Sequence, residues 1–121
     1  MTLTEARTAL AAVLSTVEGL DVRARPIPQP LTGDGWVVIT RLAPADFRSC
    51  AATLTAVIIL GPDPARAEEL LEVYAVPAVD AVTSSDLHAA EVSLEAQALI
   101  AGTPATPLYA FALTVTLPVG G

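Results

Sequence analysis

Four groupings of residues in this 121-residue chain invite a reading as chemistry, and none assembles a reactive set from its own neighbourhood. His88 is the only histidine, so a nucleophile-histidine-carboxylate set or a metal cluster would have to be assembled from distant positions. Taken alone it reads as a loop or helix-end residue. Cys50 stands two positions after Arg48, whose guanidinium would favour a reactive thiolate, but a lone cysteine is more commonly a buried, inert thiol. With a single cysteine, neither an intramolecular disulfide nor a zinc site of the usual spacing is possible, which agrees with assembly in a reducing cytoplasm. Glu91 and Glu95 share one face of a period-two run and could be imagined as paired carboxylates for acid-base work. Like charges on a solvated strand face explain them without any shifted pKa. Gly61-Pro62-Asp63-Pro64 has one glycine and no following lysine, so it is not a phosphate-binding loop. The residue types therefore point to no enzyme, no cofactor and no metal.

The elements that would hold these residues are organised around Thr53 to Val82. Thr53, Thr55, Val57 and Ile59 alternate with Leu54, Ala56, Ile58 and Leu60, a β-branched, apolar run expected to be a central strand covered on both faces. Gly61-Pro62 stops it, and Asp63 followed by Pro64 fits an N-cap and first helical position. The helix that follows carries Ala67, Leu70, Leu71, Tyr74, Ala78, Ala81 and Val82 on one face and Glu68, Glu69, Glu72 and Asp80 on the other. Leu70, Leu71 and Tyr74 are the expected core positions of that helix. Pro77 predicts a kink or a division into two helical segments.

Upstream, Thr2-Leu3-Thr4-Glu5 matches a capping box for a first helix whose apolar positions recur until Gly19. Asp21 to Pro26 reads as a short edge strand with a charged outer face, and the segment to Gly33-Asp34-Gly35 as an extended loop ending in a turn. Trp36 to Leu42 is a second strand, antiparallel to the central one. Downstream, Val92, Leu94, Ala96, Ala98 and Ile100 alternate with Glu91, Ser93, Glu95, Gln97 and Leu99 as one half-buried strand. This strand forms a C-terminal hairpin with the run around Tyr109 to Leu117. The expected class is α+β: one domain over residues 1 to 121, with a largely antiparallel or mixed sheet of about four to five strands. An N-terminal helix and one long helix pack on that sheet.

Composition narrows the functions further. Hydrophobic residues make up 53% of the chain and charged ones only 16%, a surplus that is partly alanine- and valine-rich usage and partly a sign of an interface. No apolar run approaches the roughly 18 to 20 residues of a spanning helix, and no secretory signal is visible, so a soluble protein is expected. The net charge of −7 opposes stable binding to phosphate backbones, and the six arginines are scattered rather than clustered.

In this order of elements the chain resembles the tail terminator (tail completion) proteins of long-tailed bacteriophages, in particular those of actinobacteriophages. The resemblance is carried by the N-terminal helix ending at Gly19, the proline-rich PIPQP loop before WVVITRL, the unit TLTAVIILGPDPARAEELLEVYAVPAVDAV, and the closing TPLYAFALTVTLPV. It covers nearly the whole chain, in layout rather than in any catalytic motif. It implies a structural virion subunit that forms a homo-oligomeric, hexameric ring on the tail tube and ends tube polymerisation. Such a ring also offers the head-tail connector or stopper protein its joining surface and lets DNA pass without stable binding. For such a ring Glu91, Glu95 and Asp34 are the candidate acidic residues of the lumen, with the helix face bearing Glu68, Glu69 and Glu72 as the competing location. Another neck subunit, or a small non-viral α+β ligand-binding or enzyme domain, is the alternative.

Overall fold

The computed structural model describes residues 2–25, 31–44, 49–85, 87, 91–94, 99–100 and 108–120. In chain order the elements are α1 (Leu3–Leu14), β1 (Asp21–Arg23), β2 (Asp34–Pro44), β3 (Ser49–Gly61), α2 (Pro64–Thr83), β4 (Glu91–Leu94), β5 (Leu99–Ile100) and β6 (Tyr109–Gly120). The strands form one mixed sheet in the order β1-β2-β3-β6-β4, with β5 also paired to β6. Only the β1–β2 pair is parallel. The α+β class expected from the sequence is the one adopted, and β3 is the middle strand.

Local chemistry accounts for the helix starts. The Thr2 hydroxyl accepts from the Glu5 N–H at 3.1 Å while Glu5 Oε1 accepts from the Thr2 N–H at 3.2 Å, a complete capping box. Asp63 caps α2 by accepting from the Ala65 N–H at 3.0 Å, with Pro64 as the first helical residue. Helix α1 ends at Leu14, earlier than expected, and the chain reaches Gly19 through turns. Gly19 and Gly33 both have positive φ, and a side chain on Gly33 would run into the carbonyl oxygen of Gly19. That close approach sets β1 beside β2.

Both helices lie on one face of the sheet. Ala6, Leu10 and Leu14 of α1 and Ala67, Leu70, Ala78 and Val82 of α2 form a single buried cluster with Leu54, Ala56 and Ile58 of β3 and Phe111, Leu113 and Val115 of β6. Helix α2 continues through Pro77 as one helix, so the expected division into two segments does not occur. Val73 and Pro77 are both exposed, so the carbonyl that Pro77 cannot bond lies on the solvent side, where water can satisfy it.

The other face of β3 corrects a second expectation. At one end both faces are buried, with Ile59, Ala110 and Ala112 inside. Around Ala51, Thr53, Thr55 and Val57 the face turned away from the helices is half-exposed. The C-terminal pairing differs from the reading as well. Leu94 pairs with Leu113 but Leu99 pairs with Ala110, so the register against β6 differs by two positions between β4 and β5. Both run antiparallel to β6, as a hairpin requires.

Candidate functional site

The face left open by the helices is built from rows of hydroxyls. Thr53 Oγ1 lies 3.2 Å from Thr116 Oγ1, Thr55 Oγ1 lies 3.4 Å from Thr114 Oγ1, and Thr40 Oγ1 lies 3.3 Å from Thr55 Oγ1. The threonines hydrogen-bond laterally to one another, which satisfies one hydroxyl donor of each pair within the sheet. Trp36 and Val38 of β2 join Val57 as half-exposed apolar members of the same face.

A β-bulge decides which charge sits here. Ile39 pairs with Leu54 and Arg41 with Thr53, so Thr40 is the extra residue, and the alternation of β2 flips after it. Arg41 thereby leaves the core side and reaches the open face, in one cross-strand row with Thr53, Thr116 and Glu91. Arg41 and Glu91 end that row and flank a shallow depression of about 360 Å³ whose floor is Thr53 and Thr116. Arg41 makes no ion pair among the described residues.

On the far side of the molecule, α2 turns a second set of residues outward. Glu69, Val73, Val76 and Asp80 follow one another along the helix face opposite the buried stripe. Val73 is 58% and Val76 65% exposed, large values for apolar side chains in mid-helix. Glu69 is held by Arg66 at 2.9 Å, whereas Glu72 and Asp80 have no ion-pair partner among the described residues. Beside this stripe a groove of about 860 Å³ runs between Thr16–Gly19 and α2, lined by Val73, Tyr74, Pro77 and Asp80.

The residues singled out from the sequence are dispersed. Glu91 is exposed on β4, with Val92 and Leu94 turned to the core. Asp34 is half-buried at the start of β2, where its carboxylate accepts from the Leu31 N–H at 2.8 Å and closes the turn. Seven positions separate Asp34 from Arg41 in the Glu91 row, roughly 20 Å along the strand, so Asp34 and Glu91 do not form one acidic patch. Glu95, His88 and Arg48 lie outside the described residues. Leu70 is buried, while Leu71 and Tyr74 are half-buried against the core. Glu68, Glu69 and Glu72 are exposed on α2. Cys50 packs half-buried against the core beside Val119. Among the described residues no group of three or more His, Cys, Asp or Glu side chains is placed to hold a metal ion. No helix among them is long and apolar enough to cross a membrane.

Sequence reasoning passed over Arg41, the threonine rows and the two outward valines. The signal for the threonines was present: Thr53 and Thr55 recur at period two, as do Thr114 and Thr116, and threonine at every second position marks a face that is not fully buried. No protein-family model matches the chain, and no curated protein matches it either.

Proposed function

We propose that this chain is a tail terminator subunit of a long-tailed bacteriophage: a structural virion protein without turnover, closing into a homo-oligomeric ring on the tail tube. The ring ends tube polymerisation and presents the surface on which the head-tail connector or stopper protein docks, at the tail end of the particle. The observation that supports an assembly role is the sheet face left open around Thr53 and Thr55, where paired threonine hydroxyls lie beside the half-exposed Trp36, Val38 and Val57, in a chain with few charges. Surfaces of this kind are suited to permanent contacts between subunits. The resemblance in the order of elements selects the tail terminator among assembly proteins.

The test is to add the purified protein to polymerising tail tube protein and measure tube lengths by electron microscopy. A terminator arrests growth and leaves ring density at one tube end. Tubes of unchanged length, bare at both ends, would overturn the assignment. The groove beside Tyr74 favours a second reading, a small ligand-binding domain. That reading predicts a thermal shift with a small-molecule ligand, abolished by Tyr74→Ala, and no effect on tubes.

A further inference from the structure

We propose that the open sheet face of one copy receives the outward stripe of α2 from a second copy, head to tail, so that helix and sheet layers alternate from subunit to subunit. The inference deepens the ring reading and rests on it for closure of the chain of contacts. Four observations lead to it. The two uncovered surfaces lie on opposite sides of the same molecule, because both helices cover one sheet face and α2 then turns Val73 and Val76 away from it. A self-paired interface would bury only one of the two surfaces, whereas a head-to-tail contact buries both. The cost of drying the sheet face is reduced, since in each of the pairs Thr53/Thr116 and Thr55/Thr114 one hydroxyl already donates to the other. At the β2 end of the face the charges are complementary: Arg41 is without an ion-pair partner among the described residues, as are Glu72 and Asp80 beside the two valines, whereas Glu91 closes the β4 end of the same row, so the acidic stripe is placed toward β2.

The dimensions agree. Helix α2 has 20 residues, about 30 Å of helix, and β3 has 13 residues, about 40 Å of strand, so the valines in mid-helix can reach the threonine rows without the helix overhanging the sheet.

Complementary disruption tests the contact. Thr55→Glu places a charge in the middle of the sheet face and Val76→Glu one in the middle of the stripe. Val38→Glu, on the same sheet face but nearer its edge, replaces the first variant if circular dichroism shows it unfolded. The wild-type chain should sediment as an oligomer at micromolar concentration. Each variant alone should be monomeric, its association weakened at least tenfold. An equimolar mixture of the two should give one-to-one dimers, because one variant keeps an intact helix stripe and the other an intact sheet face. A monomeric wild type, a variant that associates as the wild type does, or a mixture that stays monomeric overturns the inference. A monomeric Thr55→Glu beside a dimeric Val76→Glu would show two sheet faces packed on each other instead. If the wild type arrests tubes while both variants still assemble, the ring reading stands and this contact fails. If the mixture dimerises but tubes grow unchecked, the contact stands and the terminator reading fails.

Discussion

Position along α2 separates side chains of the same chemical kind. Leu70 is 7% exposed within the cluster around Leu54 and Phe111, whereas Val73, one turn on, is 58% exposed. Replacing Leu70 by alanine is therefore expected to destabilise the fold by about 2 to 5 kcal/mol, through lost burial and the cavity left behind. Val73→Ala should change stability by less than about 0.5 kcal/mol in the monomer. Chemical denaturation of the two variants checks both; an unchanged midpoint for Leu70→Ala would mean that the helix face is assigned wrongly. Glu5 gives a prediction in pH. Its carboxyl titrates below the ordinary value of 4.5, chiefly because the Thr2 backbone N–H donates to it and also through the Thr2 hydroxyl. A depressed folded pKa contributes stability that is present above the unfolded value and lost as pH falls through the folded one. The difference in Tm between wild type and Glu5→Gln should thus shrink steadily as pH is lowered from 4.5. A gap that widens in acid would show the sign to be wrong.

Among the elements, α2 carries a proline in its interior and β2 carries an extra residue, and the two irregularities have different consequences. Pro77 removes one helical hydrogen bond on the solvent side and is itself exposed. Pro77→Ala should raise stability, by up to about 3 kcal/mol, the usual cost of proline inside a helix. A fall in Tm would mean that the ring of Pro77 makes a contact the fold requires. The bulge at Thr40 cannot be removed so freely, because it sets which side of β2 Arg41 faces. Its hydroxyl donates to the Thr53 carbonyl at 3.1 Å, holding the extra residue against β3. Beyond Trp36 the outer edge of β2 has no strand partner among the described residues, and Arg7 reaches it from α1 to donate to the Val37 carbonyl at 3.1 Å. The bulge and Pro44 interrupt the rest of that edge, as edge strands commonly require.

For the whole molecule, a net charge of −7 and a two-layer build bear on the proposed passage of DNA. A channel that lets duplex through must not hold phosphates, and an acidic wall meets that condition. Glu91 is exposed near the sheet margin, at the far end of its row from Arg41, and is the described candidate for such a wall; the exposed Glu68, Glu69 and Glu72 compete with it only if the α2 stripe is not the contact between subunits. Changing Glu91 and Glu95 together to lysine should leave the thermal midpoint unchanged. Retention of duplex DNA at low salt should rise, weakening again as salt is added, and tail joining should fall. Unaltered retention and joining would make these two carboxylates part of an ordinary solvated face.

The helix starts, the central position of β3 and the buried stripe of α2 could be read from the chain directly, because capping, proline placement and hydrophobic period act over a few residues. The class of fold followed from their order. What sequence alone left open depended on contacts distant in the chain. Period-two alternation puts Arg41 with Val37 and Ile39 toward the core, and only pairing with β3 inserts the bulge at Thr40 that turns it to the open face. The apolar run of β3 looked covered on both sides, yet both helices went to one face, because each has a single buried stripe and those stripes share one cluster. The change of register between β4 and β5 came from their pairing with β6, to which no short-range pattern is sensitive. Local periodicity settled which residues can be buried; tertiary pairing settled which surfaces stayed exposed.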